Sequence, residues 1–179
     1  FPYTTLFRSY ISAIIHLMTK NLKIYLDKFN LLLDQFETKI PYYRLQDNTI
    51  SRVSIGWHIE HTLMSFNEYA DLLSKSNPEE YKWRFNFIRN IVLITKMIPR
   101  GFGKSPETLL PKTHIDDKIL TKLISDTRKN IKKFENLSQD AFLEHPVFGQ
   151  LKLMQTVNFL DTHAKHHLEI IDDIIKQNK

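Results

Sequence analysis

Leu22, Leu26, Phe29, Leu33 and Phe36 stand three and four residues apart, and a similar spacing returns in four later stretches of the chain. On a helix of 3.6 residues per turn such a pattern gathers the apolar side chains on one face. The first stretch predicts a helix over Met18–Glu37, which stops before Pro41. A linker over Ile40–Val53 follows, and Ser54 caps a second helix that carries Trp57, His61, Met64, Leu72 and Leu73 and ends near Asn77-Pro78. Glu79 and Glu80 suit the positive end of a third helix, running to about Met97 with Tyr81, Phe85, Ile88, Val92 and Ile94. Trp57, Trp83 and the aromatic residues of that third helix read as core packing or as a pocket wall. Asp116 and Asp117 open a fourth helix that buries Ile119, Leu120, Leu123, Ile124, Ile131 and Phe134. After the turn signal His145-Pro-Val-Phe-Gly149, the last helix carries Met154, Val157, Leu160, Leu168, Ile171 and Ile175.

Faces of this kind bury one another as an antiparallel bundle, so the expected fold is all-α. It is a four-helix bundle with a long crossover and an extra helix between the second and third bundle helices. The crossover includes the longest irregular stretch, Pro99–His114, with Pro106, Pro111, Gly101 and Gly103. Four glycines and seven prolines are too few for a barrel or sandwich, which needs a turn every dozen residues. The absence of cysteine excludes a disulfide framework, a thiolate metal site and a cysteine nucleophile. A 25% charged, 42% apolar chain is globular in composition rather than disordered.

Residues 1–17 are expected to be a non-native or disordered leader, with the domain spanning 18–179. Phe1 to Ser9 resembles translated sequencing-adapter sequence, and the apolar run Tyr10–Leu17 is too short to span a bilayer and too broken for a signal peptide. The expected location is cytoplasmic, without membrane contact. The formal net charge of +5 is mild, and its densest cluster, Arg128-Lys129 with Lys132-Lys133, is flanked by Asp126 and Glu135. A solvated helix face accounts for it better than a nucleic-acid partner.

Histidine placement is the informative chemical feature. Of eight histidines, five fall in two helical windows, His58/His61 and His163/His166/His167. His163 and His167 continue the line of Thr156, Leu160 and Ile171, and His61 that of Trp57, Met64 and Leu72, so all three are expected to face the interior. His58 and His166 are rotated away from those lines. Two stacked imidazoles from one helix and a third from a facing helix supply three nitrogen ligands, the arrangement of an open zinc-type site. The alternative is that these are hydrogen-bonded core histidines. No Ser/His/Asp triad, phosphate-binding glycine loop or glycosidase carboxylate pair can be assembled from this chain.

Four separated motifs carry a family resemblance: Trp57-His-Ile-Glu-His61, Ile98-Pro-Arg-Gly-Phe-Gly-Lys104 with Pro106 and Leu109-Leu-Pro111, His145-Pro-Val-Phe-Gly149, and His163-Ala-Lys-His-His167. Over about Met18–Lys176 the chain resembles the DinB-like superfamily of metal-binding four-helix bundles, and most of all a branch described only as a domain of unknown function. The resemblance implies a divalent ion, zinc or nickel, on His61, His163 and His167, with His166 preceding the last ligand without having to touch the metal. It implies a small-molecule substrate, with activities that include transfer from low-molecular-weight thiols, and it implies pairing into homodimers. The chain departs from the family in carrying Leu168-Glu-Ile-Ile171 where an Arg-Gln pair is expected, so the substrate is not carried over.

Around this site Glu60 and Asp161 are candidates to accept from the free imidazole N–H groups, and Arg100 and Lys104 to hold a carboxylate. Glu68 is a weaker candidate for a proton acceptor, and no catalytic residue is assigned. The functional expectation is a metal-dependent enzyme activating a thiol or water for transfer to, or hydrolysis of, a small molecule. The alternative is a non-catalytic metal-binding or dimerisation bundle.

Overall fold

A computed structural model of the chain describes residues 2–101 and 115–178, with the side chains of 2–20 outside that description. Among the described residues five α-helices are formed: α1 (Pro2–Lys39), α2 (Ile55–Ser74), α3 (Phe87–Thr95), α4 (Asp117–Asn130) and α5 (Leu153–Gln177). The stripe of α1 is buried from Leu22 to Phe36. It packs on α5 and α4, and α2 fills the other side against the same two helices, so the four share one core. At its centre the Phe29 and Phe66 rings meet edge to face at 4.8 Å, with Phe134 6.3 Å from Phe29. Burying an aromatic side chain of this size stabilises the fold by about 1.5–3 kcal/mol. None of the described helices is long and apolar enough to cross a membrane.

The expected caps are in place. Ser54 Oγ accepts from the Trp57 N–H at 3.3 Å and the Asp116 carboxylate from the Ile119 N–H at 2.7 Å. The start of α2 is also pinned from outside, since Ile55 N–H donates to Leu45 O (2.9 Å) and Gly56 N–H to Tyr43 O (2.8 Å). A Cβ on Gly56 would stand 2.9 Å from Ile115 Cγ2 and 3.0 Å from Tyr43 O, so only glycine allows this approach. The position of α2 along its axis, and with it of His58 and His61, is fixed there.

Two expectations are corrected. The fold is not all-α: Phe142–His145 (β1) and Gly149–Lys152 (β2) pair antiparallel, with His145 opposite Gly149. Gly149 closes the turn at φ +66°, a left-handed conformation that suits glycine. Each strand has only four residues, too few for an alternating pattern to declare itself in the sequence. The second correction concerns the aromatic third helix expected from Glu79 to Met97. Pro78–Glu80 form only a 3-10 turn, the chain then runs irregularly to Asn86, and α3 itself has nine residues.

The hairpin accounts for this break. Lys82 N–H donates to Gln150 Oε1 (2.6 Å) and Asn86 Nδ2 to Val147 O (3.0 Å). The buried Arg89 guanidinium joins Gln150 O (3.1 Å) to Arg84 O (2.7 Å). Backbone and side-chain groups are thereby held by partners distant in sequence, and Asn86 starts a new helix by accepting from Arg89 N–H. Of the apolar residues expected to be buried there, Val92 is, whereas Trp83 (69% exposed), Phe85 and Ile94 face solvent. The extra helix does lie between α2 and α4. Of the expected long loop, residues 102–114 lie outside the described residues.

Candidate metal centre

α5 brings His163 and His167 together one turn apart, with Nε2 to Nε2 at 3.0 Å. From α2, His61 joins them, and one ring nitrogen from each of the three lies within 4.8 Å of the others. The rings stand nearly perpendicular, His163–His167 at 89°, His61–His163 at 80° and His61–His167 at 73°. Neighbouring aromatics hold two of them: Trp57 stacks on His61 at 4.8 Å and 17°, and Phe159 on His163 at 5.3 Å and 19°. The sequence expectation that these three histidines converge inside the fold therefore stands.

Electrostatics favour the ligand form of the imidazole. His163 and His167 are held well below the ordinary histidine range, first by burial and then by the other histidines around them. Both are neutral at pH 7, which metal coordination requires. Among the described residues buried His163 Nδ1 has no hydrogen-bond partner. The donor set is three imidazole nitrogens, which suits zinc and its neighbours in the first transition row.

A further histidine was not foreseen as part of the site. His58, rotated off the interior line, has Nδ1 2.9 Å from His167 Nδ1, and its Nε2 is 2.9 Å from Ser51 Oγ. One assignment of protons satisfies every contact when His167 Nε2 acts as ligand. His167 Nδ1–H donates to His58 Nδ1, and His58 Nε2–H donates to Ser51 Oγ. A neutral imidazole thus fills the orienting role for which carboxylates were expected. Burial, and then the charges that His61, His166 and Arg100 would oppose to it, push His58 down to about 4, so it too is neutral. The i, i+3 spacing of His58 and His61 was the available sequence signal, because such residues neighbour one another on a helix.

The remaining candidates are distributed around this core. Glu60 is buried on α2 beside His61 in sequence. Asp161 is buried on α5 and its Oδ2 accepts from Lys165 Nζ at 2.8 Å. The His166 ring lies 5.3 Å from that of His167. Arg100 reaches across to Asp173 at 2.5 Å. Lys104 lies outside the described residues.

The triad forms part of the wall of a cavity of about 790 Å³. Trp57, Tyr69, Phe148, Phe159 and Ile170 give it apolar surface, while His166, Arg52 and Arg100 add basic groups. Among the described residues that line it there is no carboxylate, and Glu68 is not one of them. The chain matches no family model, no curated protein and no solved structure. What the site can do is set by its own atoms: offer a divalent ion three imidazole nitrogens, with the cavity beside it for a small molecule.

Proposed function

We propose that this chain is a metal-dependent enzyme with a DinB-like four-helix architecture, holding zinc or nickel on His61, His163 and His167 and acting on a small molecule. One observation carries the reading: three buried imidazoles from two helices converge at the wall of a 790 Å³ cavity. A divalent ion, when bound, supplies a lowered pKa to a coordinated thiol or water, making the nucleophile available at neutral pH. The chain's own residues do the rest. His58 and Ser51 set the tautomer of His167, Trp57 and Phe159 fix the planes of His61 and His163, and the apolar walls exclude bulk water from the reacting group. Three protein ligands beside a cavity favour catalysis over a purely structural site, which is usually closed by a fourth ligand.

The resemblance to the DinB-like superfamily is supported by the interior histidines on two of the helices that share the core. It is supported too by the extra helix in the crossover and by the His145-Pro-Val-Phe-Gly149 turn before α5. Thiol transfer is the first reaction to test. Protein loaded with zinc or nickel is screened with several small thiols, and with water alone, against a panel of electrophiles with and without chelator. Turnover that chelator abolishes and added metal restores is the expected result. Activity indifferent to chelator would contradict the reading.

A further inference from the structure

The turn before α5 places a second chemical group in the same cavity. His145 Nδ1 accepts from two backbone donors of its own turn, Val147 N–H at 3.1 Å and Phe148 N–H at 3.2 Å. An acceptor at Nδ1 obliges the neutral ring to carry its proton on Nε2. Burial pushes this histidine down to about 4, so the neutral ring is the form present at pH 7. Its plane is fixed as well: it stacks on Phe148 at 4.4 Å and 14°, and meets Phe159 edge-on at 5.0 Å and Tyr69 at 5.9 Å. The hydrogen bonds of this ring among the described residues are those two at Nδ1, none is made at Nε2, and the ring lines the cavity.

We propose that His145 is a specificity-determining donor, whose fixed Nε2–H binds an uncharged acceptor oxygen, such as the carbonyl of a ketone, amide or ester, on a molecule with an apolar body. Tyr69, Phe148 and Phe159 surround the donor with apolar surface, where a carboxylate would lose its hydration against a single neutral N–H. A carbonyl oxygen loses far less and is satisfied by one donor. The cations of the cavity are Arg52, exposed beside the α2 entry, and Arg100, which is engaged with Asp173. The inference rests on the reading of this cavity as a substrate site, and it assigns the polar group that such a substrate presents.

The test uses the full chain, metal-free and zinc-loaded, with three probes: acetophenone, its isostere α-methylstyrene, which replaces the carbonyl oxygen by a methylene, and benzoate. NMR of the His145 ring reports the tautomer and any ligand at Nε2–H. Acetophenone is expected to shift that proton and to bind about two- to tenfold more tightly than α-methylstyrene, the value of one net hydrogen bond. His145→Asn keeps an acceptor for the turn at Oδ1 but lacks the distal N–H, and is expected to bind the two probes equally. Because the wild-type comparison needs no variant, a misfolded His145→Asn leaves the test intact. The proposal is overturned by equal wild-type affinities, by no acetophenone binding up to its solubility limit, or by benzoate being the probe that moves the Nε2–H resonance. A preference for acetophenone in a protein that binds no metal would refute the metal reading alone. Metal binding without that preference would refute only the role of His145.

Discussion

On α2, Phe66 belongs to one kind of interior and His61 to another. Phe66 meets Phe29 and the neighbourhood of Phe134, where complementary volume is all that burial requires. Little more than a turn away, His61 faces His163 and His167, and every ring nitrogen there needs a partner. The apolar half stabilises the fold by removing surface from water. In the histidine half the same burial has a cost, because His163 is kept neutral and its Nδ1 has no partner among the described residues. An unliganded protein carries that cost in stability, and a divalent ion offsets it by binding only the folded arrangement. The difference between the halves is therefore the difference between scaffold and site.

The strongest way to break the comparison is on the apolar side. Phe66→Ala should destabilise the fold by about 3–5 kcal/mol, read as a lower midpoint in urea denaturation, with the same deficit at pH 7 and pH 5. If the variant's deficit changes sharply with pH, the two halves are not separable in this way.

Acid should act on the histidine side. His58, His145, His163 and His167 are all lowered in the folded protein, so the unfolded chain takes up protons first. Their stability contribution is full above about pH 6.5 and is lost as the pH falls toward 4. His58 and His145, each held at about 4, account for up to about 3 kcal/mol apiece. Thermal melts across this range should show the decline, and zinc at neutral pH should raise the melting temperature. A melting temperature that is flat from pH 7 to pH 4 contradicts the picture.

A finer cut separates ligand from support. His58→Ala should weaken zinc binding about ten- to a hundredfold by leaving His167 Nδ1–H without its acceptor. Chelator competition reads the loss, and His58→Asn, which keeps an acceptor near Nδ1, should restore part of it. Unchanged affinity in His58→Ala would remove His58 from the site. The smallest effect is at the helix entry: Ser54→Ala should cost about 1 kcal/mol in urea denaturation through loss of the α2 cap. Metal affinity should then change little, because Gly56 and Tyr43 still hold the helix start.

Much of the scaffold could be read from residue spacing, since the stripes of α1, α4 and α5 and the caps Ser54 and Asp116 are local signals. The triad was legible for the same reason: His163 and His167 extend an apolar line, and helix periodicity carries it inward. What escaped depends on distant partners. The break before α3 is made by Gln150 and Val147, some sixty residues away in the chain, and an aromatic stripe gives no hint of it. His58 lies off the interior face and enters the site only because Ser51 and His167 meet its two nitrogens. Trp83 illustrates the reverse error, an aromatic read as core packing or as a pocket wall that stands 69% exposed and does not line the cavity.

Zinc titration of untagged, metal-stripped protein tests the central claim most directly, with wild type compared to His61→Ala, His163→Ala and His167→Ala. About one equivalent should bind to the wild type and be lost in each variant, while the helical circular dichroism is retained. A wild type that takes up less than about a tenth of an equivalent, or a His163→Ala protein that still binds a full one, would contradict that claim.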